Sequence, residues 1–188
     1  MVKIILMRHA ESQFNVRHHK LREDLGCGKI SQDEFNQKFL ELKRLYDVDI
    51  INANLTEKGH DQCKNTQEEI YNRFPDIKRV ILSPLRRVIQ TFETTFELYP
   101  KFVSSKLKIS FVEHLRECLY SNCDVVCWTD NERQSLKYPE LYDWSFLDNY
   151  HDKDFWFLEN GSQELYDEGV KLMQNCDKDD FKGKLLAL

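Results

Sequence analysis

The hydrophobic positions of this chain fall into short apolar runs separated by longer amphipathic stretches. Lys3 to Met7 is the first run, closed by the polar segment Arg8-His9-Ala10-Glu11-Ser12-Gln13-Phe14-Asn15, and it reads as a buried strand. Arg79-Val80-Ile81-Leu82 is a second strand, and the alternating Lys108-Ile109-Ser110-Phe111-Val112 a third. Lys184-Leu185-Leu186-Ala187-Leu188 looks like a fourth, with the chain stopping inside it.

Helical signals lie between these runs. Residues 31–46 carry full start signals: Ser31 as N-cap, Glu34 three residues on as in a capping box, and Ile30 with Phe35 placed for a hydrophobic staple. Phe35, Phe39, Leu42, Leu45 and Tyr46 then follow a helical stripe. Thr56 can cap a helix running to about Arg73, which Pro75 ends. Pro84 fits the first turn of another, because its missing N–H would lack a partner there anyway, and that helix should reach about Leu98. A last helix is expected over about 162–174. Strands alternating with helices predict an α/β fold, a three-layer α/β/α arrangement around a mainly parallel sheet.

Composition narrows the class. The chain has 188 residues, 41 % hydrophobic and 31 % charged, which suits one globular domain over 1–188. Its formal net charge of −5 is the wrong sign for a nucleic-acid binder, so no nucleic-acid partner is expected. No apolar run reaches membrane-spanning length, and no secretory leader is recognisable, so the reading is a cytoplasmic protein with no membrane partner. The six cysteines form no C-x-x-C pair and read as reduced thiols. Cys118, Cys123 and Cys127 lack a histidine at zinc-ligand spacing, so neither metal nor cofactor is expected.

The candidate chemistry sits just past three of the strands, where ligands bind in open α/β sheets. Arg8-His9 follows the first, Ser83-Pro84-Leu85-Arg86-Arg87 the second, and Arg116-Glu117 the third. Arginine forks match phosphate oxygens with paired hydrogen bonds. A neutral imidazole can attack phosphorus, and a carboxylic acid can protonate the leaving oxygen.

These segments resemble the signatures of the histidine phosphatase superfamily, also called phosphoglycerate mutase-like. Arg8-His9-Ala10-Glu11-Ser12-Gln13-Phe14-Asn15 is similar to its R-H-G-E-S-x-x-N motif. Asn54-Leu55-Thr56-Glu57-Lys58-Gly59 with Gln62 resembles its L-T-x-x-G-x-x-Q helix start. Ser83-Pro84-Leu85-Arg86-Arg87-Val88-Ile89-Gln90-Thr91 resembles S-P-L-x-R-x-x-Q-T, and Leu115-Arg116-Glu117 its L-R-E step. Beyond Glu117 the likeness is looser and points to a fungal, plant and protist branch of phosphatases. The resemblance implies His9 as the nucleophile that becomes phosphohistidine and Glu117 as proton donor. It implies Arg8 and Arg87 as the phosphate clamp and Asn15 as a nearby phosphate or substrate contact, with a small phosphorylated molecule as substrate.

The sequence departs from the family pattern in two places. Ala10 stands where the family has glycine; an ordinary φ there would make this harmless. The family's second catalytic histidine, on a strand near the C-terminus, is absent, so a C-terminally truncated domain is expected. Relative to that pattern, 31–46 is an inserted helix and 119–160 an aromatic-rich insertion. The leading expectation is a metal-independent phosphomonoester hydrolase. The alternatives are a phosphoglycerate mutase, or a catalytically weak relative that only binds phospho-ligands. His114 is a poor substitute for the missing histidine. His60 is expected on an exposed, solvated helix turn, and His151 in an acidic loop. The basic run Arg17, His18, His19, Lys20 and Arg22 reads equally as a solvated loop or as an element that steers anionic substrates.

Overall fold

The computed structural model describes residues 4–44, 50, 52–104, 106–112, 115, 123 and 133–145. Its elements, in chain order, are helices α1 (Gln13–Gly26), α2 (Gln32–Arg44) and α3 (Glu57–Arg73), strand β1 (Arg79–Leu82), helices α4 (Arg86–Phe96) and α5 (Pro100–Val103), and strand β2 (Lys108–Phe111). A 3-10 turn follows at Pro139–Leu141.

β1 and β2 pair in parallel, with Arg79 opposite Lys108 and Leu82 opposite Phe111. Parallel neighbours need a crossover, which residues 83–107 supply through α4 and α5. The fold is therefore α/β, as the alternation of runs predicts. α4 lays Ile89, Phe92 and Phe96 onto one face of the pair, at i, i+3 and i+7. They meet Leu82, Ile109 and Phe111 from the strands, and Tyr99, Phe102 and Leu107 from the crossover. Alternation along β2 has the expected cause: Ile109 and Phe111 are buried in this core, and Lys108 is exposed. The Tyr99 hydroxyl donates to the Phe74 carbonyl (3.0 Å) and accepts from the Ile77 N–H (3.0 Å), fixing the turn between α3 and β1.

The helix starts read from sequence form as local chemistry dictates. Ser31 Oγ accepts from the Glu34 N–H, and Glu34 returns the bond to the Ser31 N–H at 2.9 Å. Thr56 Oγ1 accepts from the Gly59 N–H at 3.0 Å at the start of α3. α4 begins two residues after Pro84, with Leu85 as its N-cap, so Pro84 precedes the helix instead of opening it.

Two expectations change. Ile4–Met7 forms no strand among the described residues, and its side chains are exposed, Leu6 to 92 %. An apolar run encodes a demand for burial but not the partner that meets it, and β2 occupies one edge of β1. The basic run after His9 is neither strand nor loop but helix α1. Its cap is reciprocal: Ser12 Oγ accepts from the Asn15 N–H, and Asn15 Oδ1 accepts from the Ser12 N–H. α1 and α2 form a hairpin whose turn uses Gly28 at φ +71°. Phe14, Leu21 and Phe39 pack there around Leu42, Ile50, Ala53 and Cys123. Cys27, Cys63 and Cys123 are free thiols. The fourth strand, the helix over about 162–174 and most of the 119–160 segment lie outside the described residues.

Candidate active site

The segment after Met7 is held by backbone and side-chain bonds to two helix starts. Ser12 and Leu55 form an antiparallel bridge, flanked by Gln13 N–H to Asn54 O (2.9 Å) and Thr56 N–H to Glu11 O (3.0 Å). Glu11 carries most of the side-chain contacts. It accepts from the Thr56 hydroxyl at 2.9 Å and pairs with Lys58 at 2.9 Å, while its own N–H donates to Gln62 Oε1 at 2.9 Å. The Lys58 ammonium, with the Thr56 hydroxyl, holds the Glu11 carboxyl below the ordinary glutamate value against the opposing effect of burial.

The same segment is tied to α4. The Ala10 N–H donates to Thr91 Oγ1 at 3.1 Å, and that hydroxyl donates to the Arg87 carbonyl at 2.7 Å. Gln90 accepts from the Leu55 N–H (2.8 Å) and donates to Asn54 Oδ1 (2.9 Å). Asn52, buried and held at φ 48°, accepts from the Arg86 N–H at 2.8 Å. Asparagine tolerates that left-handed backbone better than most residues. The three motif segments thus interlock through residues that carry no chemistry themselves.

His9 sits half-buried on this frame. Its Nδ1 lies 2.7 Å from the Ala10 carbonyl oxygen. A carbonyl only accepts, so Nδ1 carries the proton and the neutral ring keeps its lone pair on Nε2. Ala10 has no positive φ, which agrees with the expectation that alanine is tolerated there. Arg87, 2 % exposed, donates from Nη1 to the Cys123 carbonyl at 2.6 Å. Such burial fixes a guanidinium in place at the first turn of α4, directly beyond β1.

The segments of His9 and Arg87 are therefore brought together, joined through Ala10 and Thr91. Asn15 lies at the start of α1 with its oxygen committed to the cap, which leaves its Nδ2 as the group able to donate to a ligand. Arg8 is exposed at the end of the unpaired segment. Glu117, Arg116, His114 and His151 lie outside the described residues. His60 departs from its expected solvated place: it is half-buried, with Nδ1 3.0 Å from Thr94 Oγ1.

Sequence reasoning gave Glu11, Gln62, Gln90 and Thr91 only as motif letters and missed Asn52. The signal for the first four was in the motifs: polar residues at fixed offsets from His9, Thr56 and Arg87. Nothing in the sequence marked Asn52, because its role depends on a helix start 34 residues away.

Among the described residues no helix is long and apolar enough to cross a membrane. No curated protein and no solved structure matches the chain. The family model for histidine phosphatase superfamily (branch 1) matches residues 44–176, a span that begins after His9 and takes in Arg87 and Glu117. With that span, and with the parallel β-α-β unit that sets Arg87 beside the His9 segment, the chain belongs to the histidine phosphatase superfamily, branch 1.

Proposed function

We propose that this protein is a phosphomonoester hydrolase that works through a phosphohistidine on His9. The observation that carries the reading is the Nδ1–H···O=C bond from His9 to Ala10. It selects the tautomer whose Nε2 carries the lone pair that attacks phosphorus.

In the first half-reaction a bond forms from Nε2 to phosphorus as the ester P–O bond breaks, and the leaving oxygen takes a proton from Glu117. In the second, water attacks phosphorus, gives a proton back to that carboxylate and releases inorganic phosphate with neutral His9. Arg87 and Arg8 supply positive charge to the equatorial oxygens, where charge develops in the transition state. The substrate is a small phosphorylated molecule, and the set requires no metal.

The test is a p-nitrophenyl phosphate assay with phosphoryl labelling quenched in alkali, where the N–P bond of phosphohistidine survives. His9→Ala should abolish both turnover and label, while EDTA should leave turnover unchanged. Wild-type turnover in His9→Ala would overturn the reading. Turnover that depends on a bisphosphoglycerate primer, with transfer to a sugar acid, would make the protein a mutase instead.

A further inference from the structure

Helix α4 carries Arg87 in its first turn, yet its N-cap residue, Leu85, makes no side-chain cap bond. The N–H groups of Val88 and Ile89 turn back onto the Leu85 carbonyl, at 2.9 and 3.2 Å. The N–H of Arg86, the first of the helix, has no carbonyl of its own helix to reach. Asn52 Oδ1 meets it at 2.8 Å, from a position 34 residues earlier in the chain. A side-chain oxygen in this role normally comes from the N-cap residue itself. Here it is supplied across the fold.

Asn52 is built into this place. It is 1 % exposed, near the buried Ile50 and Ala53. Its backbone is left-handed, at φ 48°, a conformation that asparagine and aspartate tolerate better than other residues with a Cβ. A buried carboxamide is costly unless its polar atoms are bonded, and the Arg86 N–H meets that need at Oδ1.

The same short segment also holds the nucleophile's side of the site. The Asn54 carbonyl accepts from the Gln13 N–H, and Leu55 bridges Ser12. Residues 52–55 thus touch the first turn of α4 at one end and the segment that follows His9 at the other. The Ala10–Thr91 bond ties these elements further along the helix, four residues beyond Arg87. That tie fixes the body of α4, and Asn52 fixes the turn in which Arg87 sits. A guanidinium reaches two phosphate oxygens at once only in a narrow range of orientations, so a first turn that frays or rotates loses the paired geometry.

We propose that Asn52 is a positioning residue of the phosphate pocket: by capping α4 from outside the helix, it sets Arg87 against the phosphoryl group that His9 attacks. The proposal rests on the reading of Arg87 as phosphate clamp. Asn52 acts through the helix, not on the substrate.

Isothermal titration of the full chain with inorganic phosphate, and kinetics on p-nitrophenyl phosphate, test this. Asn52→Gly permits the left-handed backbone and removes the acceptor, so it should fold, as circular dichroism would show. It should weaken phosphate binding by about tenfold or more, the scale of one charge-assisted hydrogen bond, and raise KM. Asn52→Asp keeps an oxygen for the Arg86 N–H and should restore most of the affinity. Phe102→Leu, in the core beneath α5, should lower the thermal midpoint and leave phosphate affinity unchanged, which separates lost positioning from lost stability. Wild-type phosphate affinity and KM in Asn52→Gly would overturn the proposal. So would an Asn52→Asp protein as impaired as Asn52→Gly, since the bond would then not be the cause, and so would an equal loss in Phe102→Leu. A wild-type chain that binds no phosphate overturns it too. Phosphate titration needs no turnover, so these results stand apart from the phosphohistidine reading, which is judged by the label on His9.

Discussion

A Cβ built on Gly59 would lie 2.2 Å from the backbone carbonyl oxygen of Glu11. The first turn of α3 and the segment carrying His9 are in such close contact that only glycine fits between them. The atom met is backbone, which cannot swing aside as a flexible side chain would. The glycine of the second motif is therefore a spacer for the first.

Gly59→Ala should accordingly push the His9 segment off α3. Ordinary overpacking costs about 1–3 kcal/mol. The expected outcome is a lower midpoint in urea and a fall in turnover larger than that loss of stability explains. An unchanged midpoint and rate would show that the two segments separate at no cost.

Thr91 joins the nucleophile segment to the helix of Arg87 by accepting from Ala10 and donating to the Arg87 carbonyl. Thr91→Val keeps the shape and removes both bonds. Leaving a buried group unsatisfied costs about 1–3 kcal/mol. Misplacing a reacting group by about 1 Å can cost about 10²-fold in rate. Turnover of p-nitrophenyl phosphate should therefore fall by about one to two orders of magnitude in a protein that still folds, with Thr91→Ser restoring most of it.

Glu11 gives the site an acid limit. Its carboxyl is held below the ordinary glutamate value, first by Lys58. A carboxylate with a depressed folded-state value stabilises the fold above the unfolded value, about 4.3. That contribution is lost as pH falls through the lower, folded value. Hydrogen exchange at residues 10–13 should rise over that acid range. Glu11→Gln should flatten the step, and Lys58→Met should move it to higher pH.

His18 sets a second pH response, in the α1–α2 hairpin. Its ring stacks on Phe39 with centroids 4.6 Å apart, and burial, then Arg22 and His19, lower its pKa. Lys43 of α2 lies over the other ring in that stack, 5.6 Å from the Phe39 centroid. A histidine with a depressed folded-state value stabilises above the unfolded value, about 6.5, and loses that contribution as pH falls towards the folded one. Thermal midpoints should fall on acidification from pH 7 to 5, and His18→Phe should remove that part of the slope. An identical slope in His18→Phe would show that the stack does not sense pH.

The sequence alone determined the features whose causes are local. Ser31 with Glu34, and Thr56 with Gly59, act across three residues, so the starts of α2 and α3 were legible without a fold. The alternation in β2 was legible because burial repeats at the period of the element. His9 and Arg87 were legible as candidates because they fall just past apolar runs and inside recognisable motifs. Helix α1 was hidden for the same kind of reason: no residue along it is fully buried, and its cap uses asparagine where a capping box usually has glutamate or glutamine. Tertiary structure decided what depends on residues far apart in the chain. The Gly59–Glu11 contact, the Asn52–Arg86 bond and the Ala10–Thr91 tie each close a loop of more than thirty residues, and no local period records such a closure. Ile4–Met7 makes the same point from the other side: the run states that it is apolar, but a strand forms only where a neighbour offers an edge, and that neighbour is set by the whole fold.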